Sequence, residues 1–420
     1  MDLFSSFFSP SFAPNVEPAT TCLQAHDAVI GSLPASHSNV NAVAVNQNLA
    51  VIPGNWESGD LTSPLYDIVP DEPCVANALS QVKKSDFIAF DSSFLDIIGP
   101  EAKLERIQAF PSNAQNVHEA PVYLPETNEL LYSDTSLAGV LFALNIDTHK
   151  IRNITLHPPL QNINGATPHP NGLVYIATNG GPVRGIFSLN TTSGQTTPLL
   201  NNYRGRHLNS PNDLIFSSSA SHLYFTDPTY GSDQSWPGVQ APELPNAIYR
   251  FDLKTKNLVA LSNSVIGKPN GLALSRDERT LYVADSSSTT FQLADQRAVF
   301  AFSLTRLGLL ENPRMIHQIE SGWPDGLRVT HRGYLLVAVA GGVDVLNPKT
   351  GQLLGKINAP DDWIFNLEPV TRGNGKGEGI WLLTGKNYIY KVTVKERGVE
   401  RGGLVEGVQK VLGRLIIPSI

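Results

Sequence analysis

From about residue 80 onward, short β-branched and aromatic runs alternate with Gly, Pro, Asn and Asp: APVYL, ELLYSD, GVLFALNI, GLVYIAT, HLYFTD, AIYRFDL, TLYVAD, AVFAFSL, YLLVAVA, IWLLTG and YIYKVTV. Apolar runs of that length and composition, bounded by turn formers, predict strands. Stripes with the helical i, i+3, i+4 spacing are scarce, and the best of them, SSFLDII, predicts a short helix near 92–98. Residues 1–50 are rich in Ser, Asn, Ala and Pro without sustained periodicity and read as an extended or partly disordered lead-in.

The strands fall into a recurring unit. A polar residue opens an apolar strand, a turn follows, and a second strand ends in a polar residue before a small one, as in NDLIFSSSASHLYFTDPTYG, NGLALSRDERTLYVADSS and the looser DGLRVTHRGYLLVAVAGG. Two earlier units, EAPVYLPETNELLYSDTS and NGATPHPNGLVYIATNGG, share the shape, and a weaker one runs through IWLLTGKNYIYKV. The units begin at Glu119, Asn164, Asn212, Asn270, Asp325 and about Asn366. A period of roughly 40 to 60 residues with four strands each is that of propeller blades. The predicted fold class is therefore all-β, a six-bladed β-propeller with four-stranded blades around a central metal site. The segment SDFIAFDSSF, ahead of the first unit, is placed to supply the strand that completes the last blade. On this division 1–50 is the lead-in, 51–118 packs on and closes the propeller, 119–396 is the core and 397–420 a tail. Two stacked sandwich domains would also give regularly spaced strands, but not a polar residue at the same place in each unit.

In a propeller the innermost strand of every blade starts near the axis, so equivalent positions converge there. The axis then receives Glu119, Asn164, Asn212, Asn270 and Asp325. Two carboxylates with carboxamide oxygens form a hard, all-oxygen donor set without thiolate or imidazole, which suits one divalent metal ion, calcium best. Asn-Gly, Asn-Asp and Asp-Gly are also ordinary turn dipeptides. Three of them in register, each after a proline (Pro211, Pro269, Pro324), argue for a site instead. Asp134, Asp227 and Asp285 recur after second strands and read as acceptors of turn N–H groups. Asp227 is the one of the three expected to approach a substrate. Gly180-Gly181 and Gly341-Gly342 read as turns, since neither precedes a helix or carries a phosphate-loop Lys.

Residues 80–395 resemble the gluconolactonase, regucalcin and luciferin-regenerating-enzyme family of six-bladed propellers, and within it the fungal lactonohydrolases. The resemblance rests on FLDIIGPEAKLERI, on HEAPVY with Glu119, on LLNNYRGRHLNSPNDL with Asn212, on LYFTDPTYG, on PNGLALS with Asn270 and on WPDGLRV with Asp325. It implies that Glu119, Asn212, Asn270 and Asp325 hold the catalytic divalent ion and that the reaction is hydrolysis of a lactone by metal-activated water. Where the family pattern has Glu-Gly-Pro, this chain has Glu119-Ala120-Pro121, a small change expected to leave the carboxylate undisturbed. Asp325 is the candidate base for the water proton or a ligand only. Asn164, His118, Arg206, His207 and Asp227 are candidate substrate contacts, the histidines and Arg206 being equally readable as structural groups or ion-pair partners. Loops 232–246 and 286–297 are placed to select the substrate.

The remaining features narrow the function. Of 420 residues, 41% are hydrophobic and 16% charged, with Gly 34 and Pro 30, the mix of many short strands and tight turns. The net charge of −7 and the absence of a basic run argue against a nucleic-acid surface. No apolar stretch reaches the roughly 18 to 20 residues of a membrane span. The start, MDLFSSFFSPSFAP, lacks Lys and Arg and makes a poor secretory signal, so a cytoplasmic location is expected, with secretion as the alternative that sequons at Asn153 and Asn190 would suit. Cys22 and Cys74 lack metal-ligand spacing and read as structural or free thiols. Three functions stay open: a calcium-dependent lactonase, a phosphotriester or fluorophosphate hydrolase on the same metal, and a propeller that binds without catalysis.

Overall fold

The computed structural model describes residues 21–60, 62–111, 117–261, 265–287, 296–371, 379–399 and 401. The first twenty residues of the lead-in, the tail from 402 and residues 288–295 of the second predicted selectivity loop lie outside them. The protein is mostly β. Four antiparallel sheets of four sequential strands begin with His118–Leu124, Ile163–Pro168, Leu214–Phe216 and Pro269–Leu274. The middle strands bury both faces. In Val174–Thr178 the alternating residues Val174 and Ile176 pack with Leu131 and Leu141 of the sheet before, while Tyr175 and Ala177 pack with Leu223 and Phe225 of the sheet after. A strand caught between two sheets has no solvent face, hence the near-continuous apolar runs in the sequence.

Nine further strands among the described residues form one network, beside two small two-stranded pairs. Its pivot is Gln352–Pro369, an 18-residue strand. The first part pairs with Leu335–Asn347 on one side and, through Gly355, Lys356 and Ile357, with Phe87–Ala89 on the other. The last part, Ile364 to Pro369, pairs with Ile380–Gly385, which continues through Tyr388–Thr393 to Lys103–Ala109. The inner strands contact one another in a cycle: His118–Leu124, Ile163–Pro168, Leu214–Phe216, Pro269–Leu274, Leu327–Val329, Gln352–Pro369, and back to the first.

Three expectations differ from this arrangement. SDFIAFDSSF does not pair with Tyr388–Thr393. Its strand Phe87–Ala89 pairs with the first part of Gln352–Pro369, the side of the network counted as the fifth sheet, where Phe87 and Ala89 share a core with Val345, Leu354 and Ile357, and the strand beside Tyr388–Thr393 is Lys103–Ala109, whose Ile107 packs on Leu382 and Ile389. The described part of the lead-in is ordered. Helix α1 (Cys22–Val29) opens on a reciprocal cap between Thr21 and Gln24 and leads to the strands Ile30–Gly31 and Ala42–Val45, which extend the fifth sheet. It packs on helix α2 (Pro73–Lys84), and a disulfide joins Cys22 to Cys74 where free or structural thiols were expected. Helix α2 buries Val75, Ala78, Leu79 and Val82, a full i, i+3, i+4, i+7 stripe. The predicted helix near 92–98 is α3 (Ser92–Ile98), capped by the Asp91 carboxylate.

Candidate metal and catalytic site

The inner strands carry a shared irregularity. Their pairing registers slip between Glu119 and Val122, Ile163 and Ala166, Pro269 and Leu272, and Ile364 and Asn366. A bulge re-aims the side chain at the slip, and at these four slips the residues so placed are Glu119, Asn164, Asn270 and Asn366. The small residue that follows lets the neighbouring inner strand come close. A Cβ on Gly165 would stand 2.2 Å from the Asn212 carbonyl oxygen, and one on Gly271 2.1 Å from that of Asp325. Ala120 holds the corresponding place after Glu119 and adopts φ 57°, the left-handed region that favours glycine. The expected freedom from disturbance therefore applies to the carboxylate alone, since the backbone under it is strained.

Glu119, Asn164, Asn212, Asn270 and Asp325 are all buried. Glu119 Oε2 accepts from Asn366 Nδ2 at 2.9 Å. Asn270 is oriented by Ser286, whose Oγ accepts from Asn270 Nδ2 at 3.1 Å and donates to the Pro324 carbonyl at 2.6 Å. That bond leaves Asn270 Oδ1 buried with no hydrogen-bond partner. The carboxyl groups repel one another across the site. Burial, then the charge of Asp213, pushes Asp325 up to about 8, and burial, then Asp325, pushes Glu119 well above the ordinary range. Among the described residues no three His, Cys, Asp or Glu side chains form a metal site by themselves. The set that fits a hard cation here is mixed, with two desolvated carboxylates in need of positive charge and a buried carboxamide oxygen in need of a partner.

A second buried layer adjoins these residues and escaped the sequence reading. Asp213 accepts from the Leu214 and Leu272 N–H groups at 2.9 and 3.3 Å, and Arg328 Nη1 stands 3.9 Å from it. Arg328 also approaches Glu368 at 3.5 Å. Arg401 bonds Glu368 and the carbonyls of Pro121 and Ala166, tying residue 401 to the first two inner strands. Asn212-Asp213 was read as a turn dipeptide led by its asparagine, which hid Asp213.

The other candidates are placed as follows. Asn164 shares the ring. His118 is buried, stacks on Phe110 at 3.6 Å and bonds the Gly385 carbonyl through Nδ1 at 2.8 Å, and burial holds its pKa low. Arg206 and His207 lie exposed on a small hairpin away from this cluster, Arg206 standing 3.8 Å from Glu243. Asp227 is fully buried, and its oxygens accept from the Asn209 and Ser210 N–H groups at 2.9 and 2.8 Å. Burial pushes it up to about 7 against those bonds. Asp134 and Asp285 likewise accept turn N–H groups.

The family model for the SMP-30/gluconolactonase/LRE-like region matches residues 117–367, from the first inner strand into the last. The chain belongs to the SMP-30/gluconolactonase family. It is 30% identical to the lactonohydrolase oryL of Aspergillus oryzae over 363 residues, 80% of this chain and 79% of that protein. It is 30% identical to a gluconolactonase of Zymomonas mobilis over 261 residues, 57% of this chain and 69% of that one. In structure it resembles a gluconolactonase of Xanthomonas campestris with a TM-score of 0.60 and 25% identity, over 73% of this chain and 94% of that one. The calcium-binding protein regucalcin of Agrobacterium tumefaciens shares the fold at a TM-score of 0.55 and 15% identity, over 70% of this chain and 95% of that one. These likenesses within the SMP-30/gluconolactonase family support a lactone-hydrolysing enzyme.

Proposed function

We propose that the chain is a six-bladed propeller that hydrolyses a lactone with one divalent cation, calcium, held by Glu119, Asn212, Asn270 and Asp325. Six blades are supported by the cycle of inner strands. The observation that carries the site is the orphaned Asn270 Oδ1 beside two mutually repelled carboxylates. A bound divalent ion would polarise the ester carbonyl and lower the pKa of a water. Asp325, which has no basic partner among the described residues, would in this reading take the proton of the attacking water or serve as a ligand only. Ser286 holds the Asn270 carboxamide so that its oxygen, and not its nitrogen, faces the substrate side. Asn366 keeps the Glu119 carboxylate in place. The relatives' names favour carboxyl esters over phosphotriesters, and a binding-only propeller gives no reason to desolvate two carboxylates together. The Cys22–Cys74 bond belongs to the chemistry of an oxidising compartment and favours secretion over the cytoplasmic location.

The test is acid release from a panel of lactones before and after chelation, repeated with Asp325→Asn and Asn270→Ala. Chelation should abolish turnover and calcium restore it. Each variant should lose more than the roughly ten- to hundredfold typical of an outer-shell partner. Chelator-insensitive turnover, or a fully active Asp325→Asn, would overturn the reading.

A further inference from the structure

The stretch between residues 226 and 233 is held from several sides. The Asp227 carboxylate receives the Asn209 and Ser210 N–H groups, Ser210 Oγ accepts from the Gly231 N–H at 2.8 Å, and a Cβ on Gly231 would stand 2.6 Å from the Asn179 carbonyl oxygen. Further on, Asp233 accepts from Thr229 Oγ1 at 3.0 Å and pairs with Lys268 Nζ at 2.9 Å, two residues before Asn270. This clamp leaves Tyr230 little freedom. Its side chain enters the neighbourhood of Asp325 and Ser286, the two groups that interact with it most closely among the site residues. The phenol oxygen is buried and Ser286 stands close enough to interact with it, but no hydrogen bond of good geometry joins it to any of the described residues, although the residue as a whole is only partly covered.

A buried O–H without an acceptor costs about 1 to 3 kcal/mol, and a rigidly clamped one cannot swing away to find water. Ser286 Oγ receives the Asn270 amide and donates to Pro324, and in the reading above Asn270 Oδ1 and Asp325 are the oxygens that the cation takes. With those oxygens on the ion, the acceptor left for the phenol is one brought in from outside, beside Asn270 and Asp325.

We propose that Tyr230 is a substrate-contacting residue whose O–H donates a hydrogen bond to an acceptor oxygen of the bound lactone, fixing the ester against Asp325. This rests on the lactonase reading above. It also explains why Asp227 matters without touching the substrate. The carboxylate ties residues 209 and 210 to the turn that carries Tyr230, so Asp227 is a positioning residue. A site built around a hydrogen-bond donor discriminates by the acceptor it expects, so Tyr230 selects oxygenated lactones over substrates lacking the accepting oxygen.

The experiment compares the full-length parent with Tyr230→Phe, which keeps the ring and removes only the hydroxyl. Three quantities are read: kcat and KM on the lactone panel, calcium affinity by calorimetry, and affinity of the calcium-loaded protein for a lactam analogue of the best substrate. The expected result is a loss of roughly ten- to hundredfold in kcat/KM, a matching loss of lactam affinity, unchanged calcium binding, and a thermal midpoint that rises in the substrate-free protein because an unsatisfied hydroxyl is gone. If the parent turns over lactones and Tyr230→Phe equals it in kcat/KM and lactam affinity, the contact does not exist. If calcium affinity falls together with turnover, Tyr230 supports the ion site and the substrate contact is overturned. A parent inactive on every lactone removes the lactonase reading, and this inference with it.

Discussion

Two buried clusters of charge lie in this molecule, and they are built on opposite principles. In the outer cluster, Lys356 is completely buried, yet its Nζ lies 3.0 Å from Asp344 and 3.3 Å from Glu320, and Asp344 also receives His317 Nε2 at 3.0 Å. Asp344 and Lys356 are directly opposed on neighbouring strands. Burial alone would push the Asp344 carboxyl up, but Lys356 and His317 outweigh it and hold it at about 2. In the axial cluster Asp325 and Glu119 face other carboxylates, and both are pushed up. One cluster is internally satisfied, and the other is complete only with a cation from outside. Buried charge by itself does not mark a site; unmet demand does.

The largest stability effect should come from the satisfied cluster. Lys356→Met leaves Asp344 buried without its main counter-charge and should cost about 3 to 5 kcal/mol, measured by denaturant unfolding. Turnover per folded molecule should stay within about twofold of the parent, because Lys356 and Asp344 pair with each other, Glu320 and His317 and not with the candidate ion ligands. Asp325→Asn should do the reverse, raising the stability of the calcium-free protein while removing activity, since it relieves a repelled carboxylate. If Lys356→Met abolished turnover in folded protein, the division between the two clusters would be wrong.

The clusters should also respond to pH with opposite sign. Asp325 is raised from 3.8 to about 8, so the fold favours its neutral form. In calcium-free protein its contribution to stability is greatest below pH 4 and falls as pH rises towards 8. Asp344 is lowered from 3.8 to about 2, so its contribution is present above pH 4 and is lost as pH falls through 2. One proton gives a slope no steeper than about 1.4 kcal/mol per pH unit. Thermal unfolding of parent and Asp325→Asn in chelator, between pH 4 and 8, isolates the axial part as their difference. Saturating calcium should reverse that part, because the ion competes with the proton for the carboxylate. A difference that does not change with pH would show that Asp325 is not held neutral.

The two clusters were not equally legible. Glu119, Asn164, Asn212, Asn270 and Asp325 stood out because the same place in each unit broke an apolar strand with an oxygen side chain, and repetition turned ordinary turn dipeptides into a ring. Asp344 and Lys356 look like the outward residues of alternating strands, and nothing local says that His317 from the preceding sheet reaches Asp344. Tyr230 and Ser286 were hidden for a related reason. Their meaning lies in contacts between units, whereas the repeat pattern reports what each unit shares. The strand Lys103–Ala109 was missed as the closing piece because its exposed positions dilute the apolar signal. Helix α2 was not singled out within 51–118 although its stripe is regular, because its apolar positions are few and spaced among polar ones. The Cys22–Cys74 bond depends on that helix pair and could not be inferred from spacing alone.

The smallest predicted effect tests how tightly the axial cluster is held. In the outer cluster Asp344 and Lys356 stand directly opposite each other in the strand pairing, whereas Glu119 stands on a bulge whose next residue, Ala120, is a fully buried non-glycine at φ 57°. An L-residue in that region costs about 1 to 2 kcal/mol, and glycine would remove the cost while adding about 0.5 to 1 kcal/mol of chain entropy lost on folding. Ala120→Gly should therefore stabilise the protein by up to about 1 kcal/mol, read as a small rise in the denaturant midpoint with an unchanged slope. Because the strain lies in the backbone that aims Glu119, the same variant distinguishes two roles for it. If calcium affinity is unchanged, the bulge and the Asn366 bond alone set the carboxylate's direction. If affinity falls while stability rises, the strain at Ala120 is what presses Glu119 towards the axis.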